Sequence, residues 1–197
     1  MTVWIIKIGE PLEYDYDNVR LLRSSILAKG LVIKSHNVYF FVDKFDHFKK
    51  KYRNETLYYS NNIKYQFLNG ISYKKNFSIN RFINHFQVAI NFYLKAKKIS
   101  NKPEIVIISF PTIFLAFSAS FFCKKNNIPY VVDLRDAWPT IFSKNKYFKI
   151  ILNYYYKPYL NYIFKNSFHI TACAPFFENF YKVYSNEIKP FTYIPHT

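Results

Sequence analysis

The densest run of chemistry-bearing side chains is Asp133-Leu134-Arg135-Asp136-Ala137-Trp138-Pro139. Two carboxylates flank a guanidinium, and an indole and a proline follow. Asp133 and Asp136 can orient Arg135 so that it presents a fixed fork to a phosphate or carboxylate. Alternatively, one aspartate can accept a proton from a sugar hydroxyl. A third reading is structural, with an Asp–Arg pair fixing the loop and Trp138 packed over it. His47, within Phe45-Asp46-His47, suits a base or a phosphate contact, and equally a plain polar surface group. Gly9, followed by Glu10, either lets backbone approach a ligand or simply closes a strand. Arg20 and Arg23 read as one helical turn apart near a helix start, where the helix dipole also favours anions; ordinary exposed helix charges are the alternative. His36, His85, His169 and His196 show no ligand spacing, so no metal site is assigned.

These residues need elements that bring them together. Val3-Trp4-Ile5-Ile6 reads as a buried strand, and Asn18 as the cap of a helix carrying Leu21, Leu22, Ile26 and Leu27. Val38–Val42 and Ile63–Leu68 read as further strands, separated by a polar, basic stretch. Phe82 to Ala96 reads as a helix with Phe82, Phe86, Ile90 and Leu94 on one face. Ile105 to Cys123 carries no charge and is long enough to span a bilayer. Pro111-Thr112 interrupts it, however, so a strand (Ile105–Ser109) followed by a helix (Ile113–Lys125) fits better. Continuous Val/Ile runs are typical of parallel strands buried on both faces. Tyr130–Asp133 is the next strand. A Tyr-rich helix from about Tyr147 to Phe164 contains Pro158, a kink candidate. His169–Thr171, Phe176–Tyr184 and Thr192–Ile194 read as strand, helix and a last extended piece.

Alternation of strands and helices predicts an α/β fold: a doubly wound, mostly parallel sheet in one Rossmann-like domain. In such sheets ligands bind beyond the carboxyl ends of the strands. That rule selects the segments after the strands: Gly9–Leu12, Phe45–His47, Phe110–Thr112 and Asp133–Pro139.

Composition narrows the partners. The chain has 197 residues, 28 Lys+Arg against 12 Asp+Glu, a net charge of +16, and three glycines. So few glycines argue against a Gly-rich phosphate loop. Lysine supplies most of the charge, with arginine at only five positions, so specific nucleic-acid reading through bidentate arginine is not expected. Cys123 and Cys173 are far apart and read as buried thiols of a reducing compartment. Val3–Ile8 is broken by Lys7, so no signal peptide is read, and the expected location is cytoplasmic, at the inner face of the cell membrane. Lys144, Lys146, Lys149, Lys157 and Lys165 interleave with Tyr147, Tyr154, Tyr155, Tyr156, Tyr159 and Tyr162. That pattern suits a peripheral face on an anionic membrane, or a helix packing its aromatics inward.

In order and spacing, several segments resemble the amino-terminal half of GT-B glycosyltransferases of the family 4 type, especially those of bacterial O-antigen and capsule synthesis. They are Trp4 to Leu12, Arg20-Leu21-Leu22-Arg23, Ser35-His36-Asn37-Val38, Phe45-Asp46-His47, Tyr73-Lys74-Lys75-Asn76 with Arg81, Pro103 to Ser109, and Asn127-Ile128-Pro129 leading into Asp133–Pro139. Ser35 departs from the family's usual glycine. The resemblance implies transfer of a sugar from a nucleotide-sugar donor to a lipid-linked or saccharide acceptor, with no metal or other cofactor. It implies that this half binds the acceptor. Gly9, His47, Arg135 and Asp136 would line the cleft, with Asp136 and His47 as its catalytic pair. Glu10, Arg20, Arg23, Asp133 and Trp138 join Gly9 and Arg135 as candidate acceptor or donor-phosphate contacts. The domain is expected to cover 1–192. Residues 193–197 would begin a linker to a carboxyl-terminal donor-binding domain that this sequence does not include, so the chain alone is expected not to transfer sugar. The alternative is a non-catalytic module that binds an anionic membrane or a saccharide.

Overall fold

The computed structural model describes residues 1–58, 62–75, 78–138 and 146–195, apart from the side chains of residues 57, 146, 148 and 149. Asn76, Pro139, Lys144, His196 and Thr197 lie outside the described residues, as do the side chains of Lys146 and Lys149. The elements run β1 (Thr2–Ile6), α1 (Arg23–Ile33), β2 (Asn37–Asp43), β3 (Phe45–Asp46), β4 (Lys51–Tyr52), a 3-10 turn (Glu55–Tyr58), β5 (Ile63–Leu68) and α2 (Ile79–Lys98). They continue with β6 (Ile105–Phe110), α3 (Ile113–Lys125), β7 (Tyr130–Leu134), α4 (Lys146–Lys165), β8 (His169–Ala172), α5 (Phe177–Tyr184) and β9 (Phe191–Tyr193).

Seven strands form one sheet in the order β5-β2-β1-β6-β7-β8-β9, and β3-β4 form a separate hairpin. Every pairing in the large sheet is parallel. Chain order reverses between β1 and β6, the switch point of a doubly wound sheet. Register makes that point a site. Ile6 lies level with Phe41 and Ile108, and Phe110 with Leu134, so four strands end along one edge. Trp4, Ile5, Ile6, Phe40, Phe41 and Val132 are fully buried, because helices cover both faces of the sheet. The uncharged 105–123 stretch is β6, a break at Thr112, then α3, and among the described residues no helix is long and apolar enough to cross a membrane.

One sequence expectation is corrected. Asn18 does not cap α1; it adopts φ +55°, and the helix begins at Arg23 with Leu22 in the cap position and no side-chain cap bond. The acceptor comes instead from Glu10, whose carboxylate takes the Ser25 N–H at 2.8 Å. A helix start needs such acceptors for its free N–H groups, and a carboxylate there also meets the positive dipole end. Arg53 holds the preceding loop in place, bonding Asp15 at 2.8 and 2.9 Å and the Glu10 carbonyl at 2.9 Å. Arg20 therefore lies on an exposed loop and not one helical turn before Arg23. The buried face of α1 is Ser24, Ser25 and Ala28, while Ile26 and Leu27 are exposed.

In α2, Phe82, Phe86, Ile90 and Leu94 share one face as expected, and that face is exposed. The core face carries Asn84, His85, Val88, Ala89, Phe92 and Ala96. Gly70 explains the polar start of that face: a Cβ there would lie 2.5 Å from the Asn84 amide nitrogen, so only glycine lets this backbone approach the helix.

Candidate functional site

A polar pocket of about 240 Å³ opens at the carboxyl ends of β1, β2, β6 and β7. β1 contributes Lys7 and Gly9, β2 contributes Asp43, and the β3-β4 hairpin contributes His47. Tyr73, Arg81 and His85 approach from the β5–α2 side, Thr112 from the end of β6, and Asp136 and Trp138 from the end of β7. Of the sequence-nominated residues, Gly9, His47, Asp136 and Trp138 meet here.

Gly9 takes φ +66°, a conformation that suits glycine, and aims its N–H at the Asp43 carboxylate at 3.1 Å. Asp43 is itself held by the Arg53 guanidinium at 3.2 Å. Burial raises the Asp43 pKa, and Arg53 opposes that shift. The result is a rigid floor beneath the pocket. His47 shares a hydrogen bond with the Tyr73 hydroxyl at 2.8 Å. Its pKa falls to about 4, through burial first and then the Lys50 and Arg81 charges, so it is neutral at pH 7. His85 is buried, and its pKa falls to about 3 for the same leading reason, with Arg81 next. The Trp138 ring lies 6.0 Å from His85, and Arg81 Cζ sits 5.9 Å from the rings of both Trp138 and Tyr73. The Lys7 pKa is lowered by burial and by Arg135. Asp136 is exposed. The pocket thus combines cationic groups, two neutral imidazoles and one solvent-facing carboxylate.

The other nominated residues form a different arrangement. Asp133 does not orient Arg135. It is buried and gripped by Arg23, Nε to Oδ2 at 3.1 Å and Nη2 to Oδ1 at 3.0 Å, and it accepts the Thr171 hydroxyl at 2.8 Å. Arg135 pairs with Glu10 at 3.0 Å. The end of β7 at Leu134 separates the two: Asp133 is still a strand residue and meets Arg23, while Arg135 lies past the strand and reaches Glu10 on the β1 loop. Glu10, Arg23, Asp133 and Arg135 therefore tie α1, the β1 loop and β7 together beside the pocket and do not line it. Arg20 does not line it either.

Lys7, Asp43 and His85 were missed from sequence. Lys7 and Asp43 sit at the ends of strands, a position that would have flagged them. His85 had no signal, because a histidine inside an amphipathic helix looks like any core position. Cys123 is buried as expected, with its pKa raised by burial, whereas Cys173 is only half-buried.

No protein-family model matches the chain, and no curated protein matches it. Solved structures do. A sucrose-phosphate synthase from Thermosynechococcus elongatus superposes with a TM-score of 0.65 at 12% identity, covering 98% of this chain and 47% of that one. UGT2 of Phytolacca americana, complexed with UDP-2fluoro-glucose and pterostilbene, gives 0.59 at 11% identity over 99% and 54%. A UGT transferase from Siraitia grosvenorii in complex with UDP gives 0.58 at 10% over 98% and 51%. The fold is therefore that of GT-B glycosyltransferases. The chain is one Rossmann-like domain of that architecture and spans about half the length of the structures it matches.

Proposed function

We propose that this domain binds the acceptor in a glycosyltransferase that moves a sugar from a nucleotide-sugar donor to a lipid-linked or saccharide acceptor in bacterial cell-surface polysaccharide assembly, of the O-antigen or capsule type. A second domain would hold the donor. The observation that carries the reading is the exposed Asp136 carboxylate lining one pocket with neutral His47 and His85 at the topological switch point. Asp136 accepts the proton of the acceptor hydroxyl as that oxygen attacks the anomeric carbon. His47, fixed by Tyr73, orients the hydroxyl or takes the proton in turn. Gly9, with no side chain, leaves the donor side of the cleft open, Arg81 offers positive charge to a phosphate, and the Lys7 amine can donate a hydrogen bond to it.

The test is sugar transfer, or hydrolysis of the nucleotide sugar, by this domain joined to or co-expressed with a donor-binding domain. Asp136→Ala should reduce turnover at least about 100-fold, the scale of a lost general base, with the fold intact. Unchanged turnover would sink the role of Asp136, and absence of transfer with every acceptor class would sink the reading.

A second reading, a non-catalytic module on an anionic membrane, is favoured by α4, where Tyr147, Tyr154, Tyr155, Lys157 and Lys165 are all exposed. It requires sedimentation with anionic vesicles that weakens steeply with salt.

A further inference from the structure

An apolar groove of about 700 Å³ runs between α2, α3 and α4 on the outside of the helical layer. Its walls include Phe82, Phe86, Ile90, Phe114, Phe117 and Tyr159. Phe82, Phe86 and Ile90 are about half exposed, although a helix normally turns such residues inward. Among the lining residues, Ser118 directs its hydroxyl to the Ala89 carbonyl at 2.8 Å, so its own polar atom is already satisfied. The groove is therefore suited to hydrocarbon and poorly suited to a sugar or a nucleotide.

Its position identifies the occupant. α2 and α3 both begin at the edge of the sheet where the polar pocket opens, and each carries the two environments on neighbouring positions. Arg81 and His85 line the pocket while Phe82 and Phe86 line the groove. Adjacent residues on a helix point about 100° apart, so the two linings are two faces of the same turns. At α3, Thr112 belongs to the pocket and Phe114 to the groove. From Phe82 to Leu94 the groove follows α2 for about 18 Å at 1.5 Å per residue. At its head stand Lys7, Arg81 and, over the Tyr73 ring at 4.7 Å, Lys50. Cations at one end and an aromatic trough behind them complement one molecule with an anionic head and a long apolar tail.

We propose that the α2–α3–α4 groove holds the hydrocarbon chain of a single lipid-phosphate acceptor, whose phosphate rests in the polar pocket against Lys7 and Arg81. This rests on the reading of that pocket as the acceptor site. It adds that the lipid part of the acceptor is recognised by this domain and is not left in the bilayer.

Trp138 reports on the head of the site, since it stands beside Arg81 and His85 while Trp4, the other tryptophan, is fully buried in the core. Dimethylallyl, geranyl and farnesyl phosphate are titrated against the intact chain, below their micelle concentrations, with Trp138 fluorescence as the readout. Each added isoprene unit should tighten binding, with farnesyl phosphate at least about tenfold tighter than dimethylallyl phosphate. Phe86→Asp and Ile90→Asp, both at exposed positions, should erase that dependence on chain length and leave dimethylallyl phosphate binding and the melting temperature unchanged. Phe117→Ala, a milder change in the same wall, should reduce it partially.

Equal affinities for the three phosphates overturn the groove assignment while the pocket reading stands. No binding of any phosphate overturns both. If the two Asp substitutions abolish sedimentation with anionic vesicles but leave farnesyl phosphate binding untouched, the face is a bilayer-docking surface and the proposal fails. It fails likewise if they only convert a dimer to a monomer.

Discussion

Arg23 grips Asp133 across 110 residues of chain through two parallel hydrogen bonds, Nε to Oδ2 at 3.1 Å and Nη2 to Oδ1 at 3.0 Å. The same guanidinium bonds the Ile194 carbonyl at 2.8 Å. One side chain at the start of α1 thus fixes the end of β7 and the segment after β9. Arg23→Ala leaves a buried carboxylate with, among the described residues, only the Thr171 hydroxyl. The expected loss is about 3 kcal/mol, or a melting temperature lower by roughly 6–12 °C for a domain of this size. Circular dichroism melts check it; a shift below about 2 °C would class the pair with ordinary surface bridges.

Glu10 works on the other side of the same junction, capping Ser25 and pairing with Arg135 while almost fully buried. Glu10→Gln keeps a cap acceptor but removes the charge, and Glu10→Ala removes both. Urea denaturation should therefore rank wild type above Gln and Gln above Ala, with Ala costing about 3 kcal/mol or more. Equal stability of the Gln and Ala variants would show that the cap contributes nothing.

Stability should fall in acid for a reason located at the pocket. His85 and His47 titrate near 3 and 4 in the folded chain, against an ordinary 6.5. Above pH 6.5 both are neutral folded or unfolded. Below it the unfolded chain binds protons that the folded chain refuses until pH about 3 to 4, so stability drops across that window. For His85 alone the drop is on the order of 3 kcal/mol between pH 7 and pH 4. Urea midpoints at pH 7.5, 5.5 and 4.5 measure it, and His85→Gln should flatten the slope. An unaltered slope in that variant would assign the acid sensitivity elsewhere.

Two glycines should respond to substitution for opposite reasons. At Gly9 an added Cβ meets nothing within 4 Å, so Gly9→Ala costs only the strain of φ +66°, about 1–2 kcal/mol. Asparagine tolerates that conformation and should recover part of it. At Gly70 the Cβ would lie 2.5 Å from Asn84 Nδ2 and 2.9 Å from Val88 Cγ2. Asn84 cannot swing aside without giving up its 2.7 Å bond to the Ile71 carbonyl. Gly70→Ala should cost roughly 1–3 kcal/mol, and Gly70→Asn more rather than less. Thermal melts of the four variants decide it; rescue by asparagine at both positions would refute the steric account of Gly70.

Hydrophobic patterning along the chain dictates the alternation of elements. Runs such as Ile105–Ser109 and Val38–Val42 are strands because continuous β-branched and aromatic residues can be satisfied only between two covering layers. Alternation with helices leaves a doubly wound parallel sheet, and the rule for such sheets puts Gly9, His47, Asp136 and Trp138 near one edge. Tertiary structure alone decided which charges meet. Asp133 and Arg135 are two residues apart, yet their partners are Arg23 and Glu10, 110 and 125 residues away. Local spacing cannot encode that choice, because it depends on which loops the strand register brings level. The apolar face of α2 makes the same point in reverse. Periodicity correctly grouped Phe82, Phe86, Ile90 and Leu94, but only the packing of α2 against β5 and α3 showed that Val88, Phe92 and Ala96 fill the core and the aromatic stripe stays outside. A hydrophobic period reports that a face is apolar; what it packs against is fixed by its neighbours in space.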